Sequence, residues 1–189
     1  MSSIIVKWLV RLMIYYRYLY ITNRKEKIRN KEIPERWSKL FDKILLGLDN
    51  SEASMKAMKH VIEIQKRFNS KTVIFHSVFH HLTEIKPVFG YSGNSNAISY
   101  ELHEDYVNFG KKIISDAEAL FKENQLEVDA RLVFEISPED YIKKHVEEEN
   151  FNLVVVGYNG THSVLGSALL GSIPTKVINH VLCDVLVVK

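Results

Sequence analysis

Four short, continuous apolar runs constrain this chain more than any other feature. They are "KILLGLD" (43–49), "KTVIFHSVF" (71–79), "NLVVVG" (152–157) and "DVLVVK" (184–189). A strand with one wet face alternates apolar and polar residues. A strand that reads as an unbroken apolar run is buried on both faces, as in a parallel sheet covered by helices. A fifth segment, "VDARLVFEI" (128–136), alternates as a less buried strand does.

Helical patterns separate the runs. "NSEASMKAMKHVIEIQKRF" (50–68) carries Ala53, Met58, Val61, Ile62 and Ile64 near helical spacing. Asn50 or Ser51 can cap it, and Glu52 suits its first turn. Residues 98–125 form a long helical pattern. Residues 137–150 open with Ser137 as cap and Pro138 at the first helical position. Residues 172–181 form a last, short helix. Residues 83–99, rich in Gly, Ser and Asn, read as a loop. The order is βαβ(loop)αβαβ(glycine loop)αβ. That order predicts a doubly wound α/β domain, an open parallel sheet with helices on both faces. Such sheets bind ligands at the carboxyl ends of their strands, where strand order reverses.

Charge divides the chain differently. Residues 1–40 hold ten Lys/Arg against three Glu, and the remainder holds fifteen Lys/Arg against twenty Asp/Glu. The net charge of +2 therefore hides a basic arm (1–40) and a mildly acidic domain (41–189). Residues 4–21 are apolar and aromatic, but Lys7, Arg11 and Arg17 interrupt them. A spanning helix wants about 20 apolar residues with few charges. No small-residue cleavage site marks a secretory signal. On a helical wheel the three cations form one stripe, which describes a helix lying at an anionic membrane surface. Arg24, Lys25, Lys27, Arg29 and Lys31 would reinforce such contact. Packing of residues 4–31 on a protein partner or on the chain's own domain is the competing expectation. Nucleic acid is the least favoured partner.

The single cysteine, Cys183, excludes an internal disulfide and any CxxC motif, and reads as a buried thiol. A reducing, cytoplasmic setting is expected, peripheral at the membrane if the arm docks there.

The segment "VVVGYNGTHSVLGSALLGSIPTKV" (154–177) holds four of the eight glycines. Gly157 ends a strand, Gly160 lies in the turn, and Gly171 and Ser172 open a helix. Glycine lets a ligand approach the main chain without a Cβ in the way. The first N–H groups of a helix lack internal acceptors, and its dipole favours an anion. Strand, glycine loop and helix start thus make a phosphate cradle. The segment is neither a Walker A loop nor GxGxxG. Asp49 ends the first strand at the same edge of the sheet, where a carboxylate can accept from a ribose hydroxyl or an adenine amine. The bland alternative is a helix-initiating turn, "DNSEAS", in which Asp49 serves only the backbone.

These stretches, "KILLGLDNSEASMKAM" and "LVVVGYNG…LLGSIPTKVINHVLCDVLVVK", resemble the universal stress protein family over residues 41–189. The resemblance implies a five-stranded, Rossmann-like parallel sheet of the adenine nucleotide alpha hydrolase type. It implies homodimers joined through the last strand. It also implies an ATP-binding stress or signalling protein rather than an efficient enzyme. Nucleotide-binding members carry a GxxG turn after the fourth strand, a nine-residue spacer, and Gly-Ser or Gly-Thr. Asp49 then matches the acidic residue at the nucleoside, and Val78 the strand position whose backbone meets adenine. Gly157 and Gly160 match the turn, and Gly171 and Ser172 the phosphate-binding helix start. A divalent cation such as Mg could accompany the phosphates. Two features depart from the pattern. The spacer from Thr161 to Leu170 has ten residues, and Gly166 could absorb the extra one. Pro174 removes a backbone donor two residues after Ser172.

The other candidates carry less chemistry. His80, His81, His103 and Glu104 lack metal-ligand spacing and read as surface. His76 reads as a satisfied strand histidine. His162 could touch a phosphate when protonated. Glu147, Glu148 and Glu149 end a helix and read as a solvated face. No nucleophile–base arrangement stands out, and neither an HIGH nor an SGGxDS signature occurs. A weak ATP-hydrolysing or adenylyl-transferring enzyme is therefore less favoured than a regulatory nucleotide-binding dimer. A dimeric scaffold without nucleotide is the main alternative.

Overall fold

The computed structural model describes residues 41–79, 95–160 and 170–189. The expectations for the arm, for His80 and His81, for His162 and for Gly166 lie outside them, as does the side chain of His103. The described elements are β1 (Lys43–Gly47), α1 (Glu52–Phe68), β2 (Lys71–Val78), α2 (Ser95–Glu123), β3 (Asp129–Phe134), α3 (Pro138–Glu148), β4 (Leu153–Gly157), α4 (Ser172–His180) and β5 (Asp184–Val188). All four strand pairings are parallel, in the order β3-β2-β1-β4-β5. The chain winds outward from β1 to β3, then returns to place β4 on the other side of β1. The reversal point is therefore the gap between the ends of β1 and β4.

The apolar runs of β1, β2 and β4 are buried on both faces, while β5 at the edge is mostly half-buried. Ile44, Leu46, Ile74 and Val155 pack with Met58 and Val61 of α1 and with Ile113, Ala117 and Phe121 of α2. Their neighbours Leu45, Val73, Phe75, Val154 and Val156 pack on the other face, with Tyr141 and Ile142 of α3 and Val177 of α4. Burial of each such side chain contributes about 1.5–3 kcal/mol, so one polar substitution in β1 or β4 would disturb the layer its side chain faces.

The local signals choose the ends. Asn50 takes a left-handed φ of 63°, so Ser51 rather than Asn50 caps α1. Asn69, at φ 54°, closes the same helix. Ser137 caps α3 with Pro138 in its first turn. The long helix begins at Ser95, three residues before its pattern suggests, because Ser-Asn-Ala carries no periodic apolar signal.

One expectation is corrected. Glu149 does not sit on a solvated face; its side chain is 23% exposed and bound in a network. Arg131 of β3 donates to both of its carboxylate oxygens. Lys43 of β1 reaches Oε2 at 3.0 Å and the Glu149 backbone carbonyl at 3.0 Å. His145 lies 2.9 Å from Oε1. The Lys43 ammonium thus answers the exposed carbonyls at the end of α3, where a cation is favoured. The Arg131 guanidinium, with Lys43 and His145, holds the Glu149 carboxyl at a pKa of about 2, well below the usual range. Cys183 is half-buried, and burial pushes its thiol up to about 11.

Candidate functional site

β1 leaves the ladder after Gly47, and the Leu48 N–H still donates to the Phe75 carbonyl at 2.9 Å. Asp49 follows at the reversal point. Its Oδ1 accepts from the Ser51 N–H at 3.0 Å and from the Ser51 hydroxyl at 2.6 Å. The Ser51 Oγ in turn accepts the Ser54 N–H at 3.1 Å. The Ser54 hydroxyl donates back to the Ser51 carbonyl at 3.0 Å. This is a side-chain turn of the Asx kind, run directly into a helix cap. The bland reading of Asp49 is thus true of one carboxylate oxygen, Oδ1.

The other oxygen faces the glycine turn. A Cβ built on Gly160 would lie 2.9 Å from Asp49 Oδ2. Two more glycines allow equally close approaches. A Cβ on Gly157 would lie 2.9 Å from the Ser54 nitrogen and 3.1 Å from the Ala53 Cβ. A Cβ on Gly171 would lie 2.9 Å from the Tyr158 carbonyl oxygen, which accepts the Gly171 N–H at 3.0 Å. The Tyr158 N–H donates to the Val188 carbonyl at 2.7 Å. The three glycines therefore draw the start of α1, the turn after β4 and the start of α4 onto one another. Their first task is the protein's own packing, which sequence reading assigned to ligand approach.

Gly171 caps α4 without any side-chain hydrogen bond, and Ser172 is the exposed first residue of the helix. The Thr175 N–H and hydroxyl both turn to the Gly171 carbonyl, at 3.1 and 2.8 Å. Pro174 is buried and has no N–H. The donors this helix start can offer an anion are thus the Ser172 and Ile173 N–H groups and the Ser172 hydroxyl.

Val78 is the last residue of β2, and its side chain is buried. Its carbonyl accepts from the Glu135 N–H at 3.4 Å, so its peptide groups point toward β3. Peptide directions alternate along a strand, so the groups facing the reversal point at this level belong to Ser77 and Phe79. His76 satisfies its expectation, with Nδ1 2.7 Å from the Leu48 carbonyl. That carbonyl can only accept, so Nδ1 carries the proton.

A cleft of about 270 Å³ opens between the first turn of α1 and the turn after β4. Ser51, Lys56, Asn159, Gly160 and Lys189 line it. Lys56 pairs with Glu52 at 2.8 Å, and the Lys189 ammonium sits 5.2 Å from the Tyr158 ring centre. Among the described residues Asn159 Oδ1 is buried without a hydrogen-bond partner. Sequence reasoning missed Ser51 as a partner of Asp49, and missed Tyr158 and Asn159. The Asp-x-Ser spacing was the available signal for the first.

Among the described residues no group of three His, Cys, Asp or Glu could hold a metal ion. A divalent cation at this site would be carried mainly by a ligand's phosphates, with Asp49 as the protein carboxylate at hand. No described helix is long and apolar enough to cross a membrane.

Residues 40–189 match the universal stress protein family. The chain belongs to that family. Among its relatives, the universal stress protein MJ0531 of Methanocaldococcus jannaschii is 29% identical over 182 residues, covering 95% of each chain. That match runs into the N-terminal arm, which the family match leaves aside. The universal stress protein UspA from Lactobacillus plantarum superposes with a TM-score of 0.65 at 20% identity, over 79% of this chain and 98% of its own. A universal stress protein family member from Arabidopsis thaliana, solved with AMP bound, gives a TM-score of 0.53 at 14% identity, over 78% and 91%. At such identities the two structures establish the shared fold of this universal stress protein domain.

Proposed function

We propose that this universal stress protein binds an adenine nucleotide, ATP in particular, at the reversal point between β1 and β4, and acts as a regulatory module. One observation carries the reading. The Asp49 carboxylate faces Gly160, and the same turn meets at Tyr158 the start of α4, which has no side-chain cap among the described residues. A carboxylate suits a sugar hydroxyl, and uncapped helix N–H groups suit a phosphate. The AMP in the Arabidopsis relative supports the nucleotide class. Asp49, Gly157, Gly160, Gly171 and Ser172 fill the roles given above, and the strand end at Val78 receives adenine through neighbouring peptide groups.

Pro174 favours a second reading, a scaffold that keeps the fold without the nucleotide. It leaves α4 with two early N–H donors, which weakens a triphosphate site more than an adenosine site. Purified full-length protein, denatured without added nucleotide and assayed by mass spectrometry, separates the two. Released adenine nucleotide supports the module; its absence, with no binding of ATP at millimolar concentration, supports the scaffold.

Two further parts of the reading concern assembly. Among the described residues β5 is a sheet edge that pairs only with β4, and Val185, Leu186 and Val187 along it are half-buried. An exposed apolar edge is a liability unless covered, and a two-fold pairing of β5 strands would cover it. Residues 4–31 dock the protein on an anionic membrane surface or a partner, by their basic and aromatic composition.

A further inference from the structure

Ser51 does more than cap a helix. Its Oγ accepts one proton, from the Ser54 N–H, and a hydroxyl has one proton of its own to give. Asp49 Oδ1, 2.6 Å away, is an acceptor only, so that proton is committed to the carboxylate. The Ser51 N–H reaches the same oxygen at 3.0 Å. The carboxylate's other oxygen faces Gly160, where an added Cβ would lie 2.9 Å from it. An aspartate's terminal torsion is broad and roughly two-fold when nothing holds it. Here Ser51 holds Oδ1, which leaves Oδ2 directed at the glycine turn. A carboxylate oxygen has two lone pairs, so Oδ2 can accept further bonds beside any it already makes.

We infer that Ser51 is a positioning residue that sets the Asp49 carboxylate to recognise the sugar hydroxyls of a nucleotide, so that it determines specificity for ribose over sugars lacking those hydroxyls. The inference rests on the nucleotide reading above. Its chemistry is directional. A carboxylate turned a few tens of degrees still carries its charge but no longer meets a vicinal diol squarely. Loss of the Ser51 hydroxyl should therefore erode sugar discrimination more than overall affinity.

The test compares ATP with 2′,3′-dideoxy-ATP, which lacks both hydroxyls that Asp49 could meet. Full-length wild type, Ser51→Thr, Ser51→Gly, Ser51→Ala and Asp49→Ala are titrated with each by calorimetry, with thermal melting run alongside. Threonine keeps the hydroxyl; glycine removes it while remaining a good N-cap. A hydrogen bond to a charged group supports a preference of about tenfold or more for ATP in wild type and Ser51→Thr. In Ser51→Gly and Ser51→Ala the preference should fall to about twofold, approaching Asp49→Ala, whatever the melting temperatures do. A wild-type preference kept in Ser51→Gly and Ser51→Ala would make Ser51 a cap and nothing more. Equal binding of the two nucleotides by wild type would overturn the inference and leave the nucleotide reading standing. No ATP binding by wild type would bring down that reading, and the inference with it.

Discussion

Asp49 Oδ2 and Gly160 are so close that a side-chain carbon at position 160 would lie 2.9 Å from that oxygen. The contact joins the end of β1 to the turn after β4 across the point where strand order reverses. It involves the far end of a short side chain, so a substitution would move the carboxylate rather than the backbone. Gly157 differs, because there a Cβ meets the Ser54 nitrogen and the first turn of α1.

Gly160→Ala and Gly157→Ala should therefore fail in different ways. Gly160→Ala should cost less than about 1 kcal/mol of stability but weaken ATP by about tenfold, since it displaces Asp49. Gly157→Ala should cost about 1–3 kcal/mol, because a backbone must shift. At about 2–4 °C per kcal/mol for a chain of this size, thermal melting resolves the two. Equal losses of stability in both would contradict the distinction.

Glu149 should make stability depend on acid. Its folded pKa, about 2, lies below the usual 4.5. A depressed carboxyl stabilises the fold fully above the unfolded value, and the contribution is lost as pH falls from about 4.5 through 2. The network is partly exposed, so the contribution is about 1–2 kcal/mol after solvent screening. Glu149→Gln should therefore lower the melting temperature at pH 7 by several degrees, and the gap should narrow below about pH 4.5 and close only below about pH 2. A gap that is unchanged with pH would show that Glu149 acts through packing alone.

The sheet was legible because its three central strands are buried on both faces, and an unbroken run such as "LVVVG" has few other uses. The reversal point followed from element order. The network around Glu149 was not legible. Lys43 lies 106 residues away in sequence and Arg131 18, and a row of glutamates at a helix end looks solvated until those partners arrive. The glycines were legible as places of close approach, but not as to what approaches. Gly157 answers to α1, Gly160 to Asp49 and Gly171 to Tyr158, all of them parts of the protein. Ser51 was legible as a cap, whereas its hold on Asp49 depends on Asn50 taking a positive φ.

Leu186 tests assembly. Leu186→Asp places a charge on the β5 edge and against the α1 layer, where Leu186 packs. Light scattering should report monomers or aggregates in place of a dimer. A dimer of unchanged stability would rule out pairing through β5.

The arm can be tested by charge alone. Lys7, Arg11 and Arg17 changed together to Glu should abolish sedimentation of the full-length protein with phosphatidylserine vesicles and leave its melting temperature unchanged. Each basic residue near an anionic surface is worth about 1 kcal/mol, so the reversal should cost well over a hundredfold in binding. If wild type ignores the vesicles, the arm serves a protein surface instead.

Everything proposed for the site depends on the Asp49 carboxylate and the α4 start together binding ATP. Calorimetric titration of ATP into wild type and into Asp49→Ala, at matched protein concentration, tests it most directly. Wild type should give saturable heat and Asp49→Ala should bind at least tenfold more weakly, both proteins melting within a few degrees of each other. Identical binding by the two proteins, or no heat from wild type up to millimolar ATP, would contradict it.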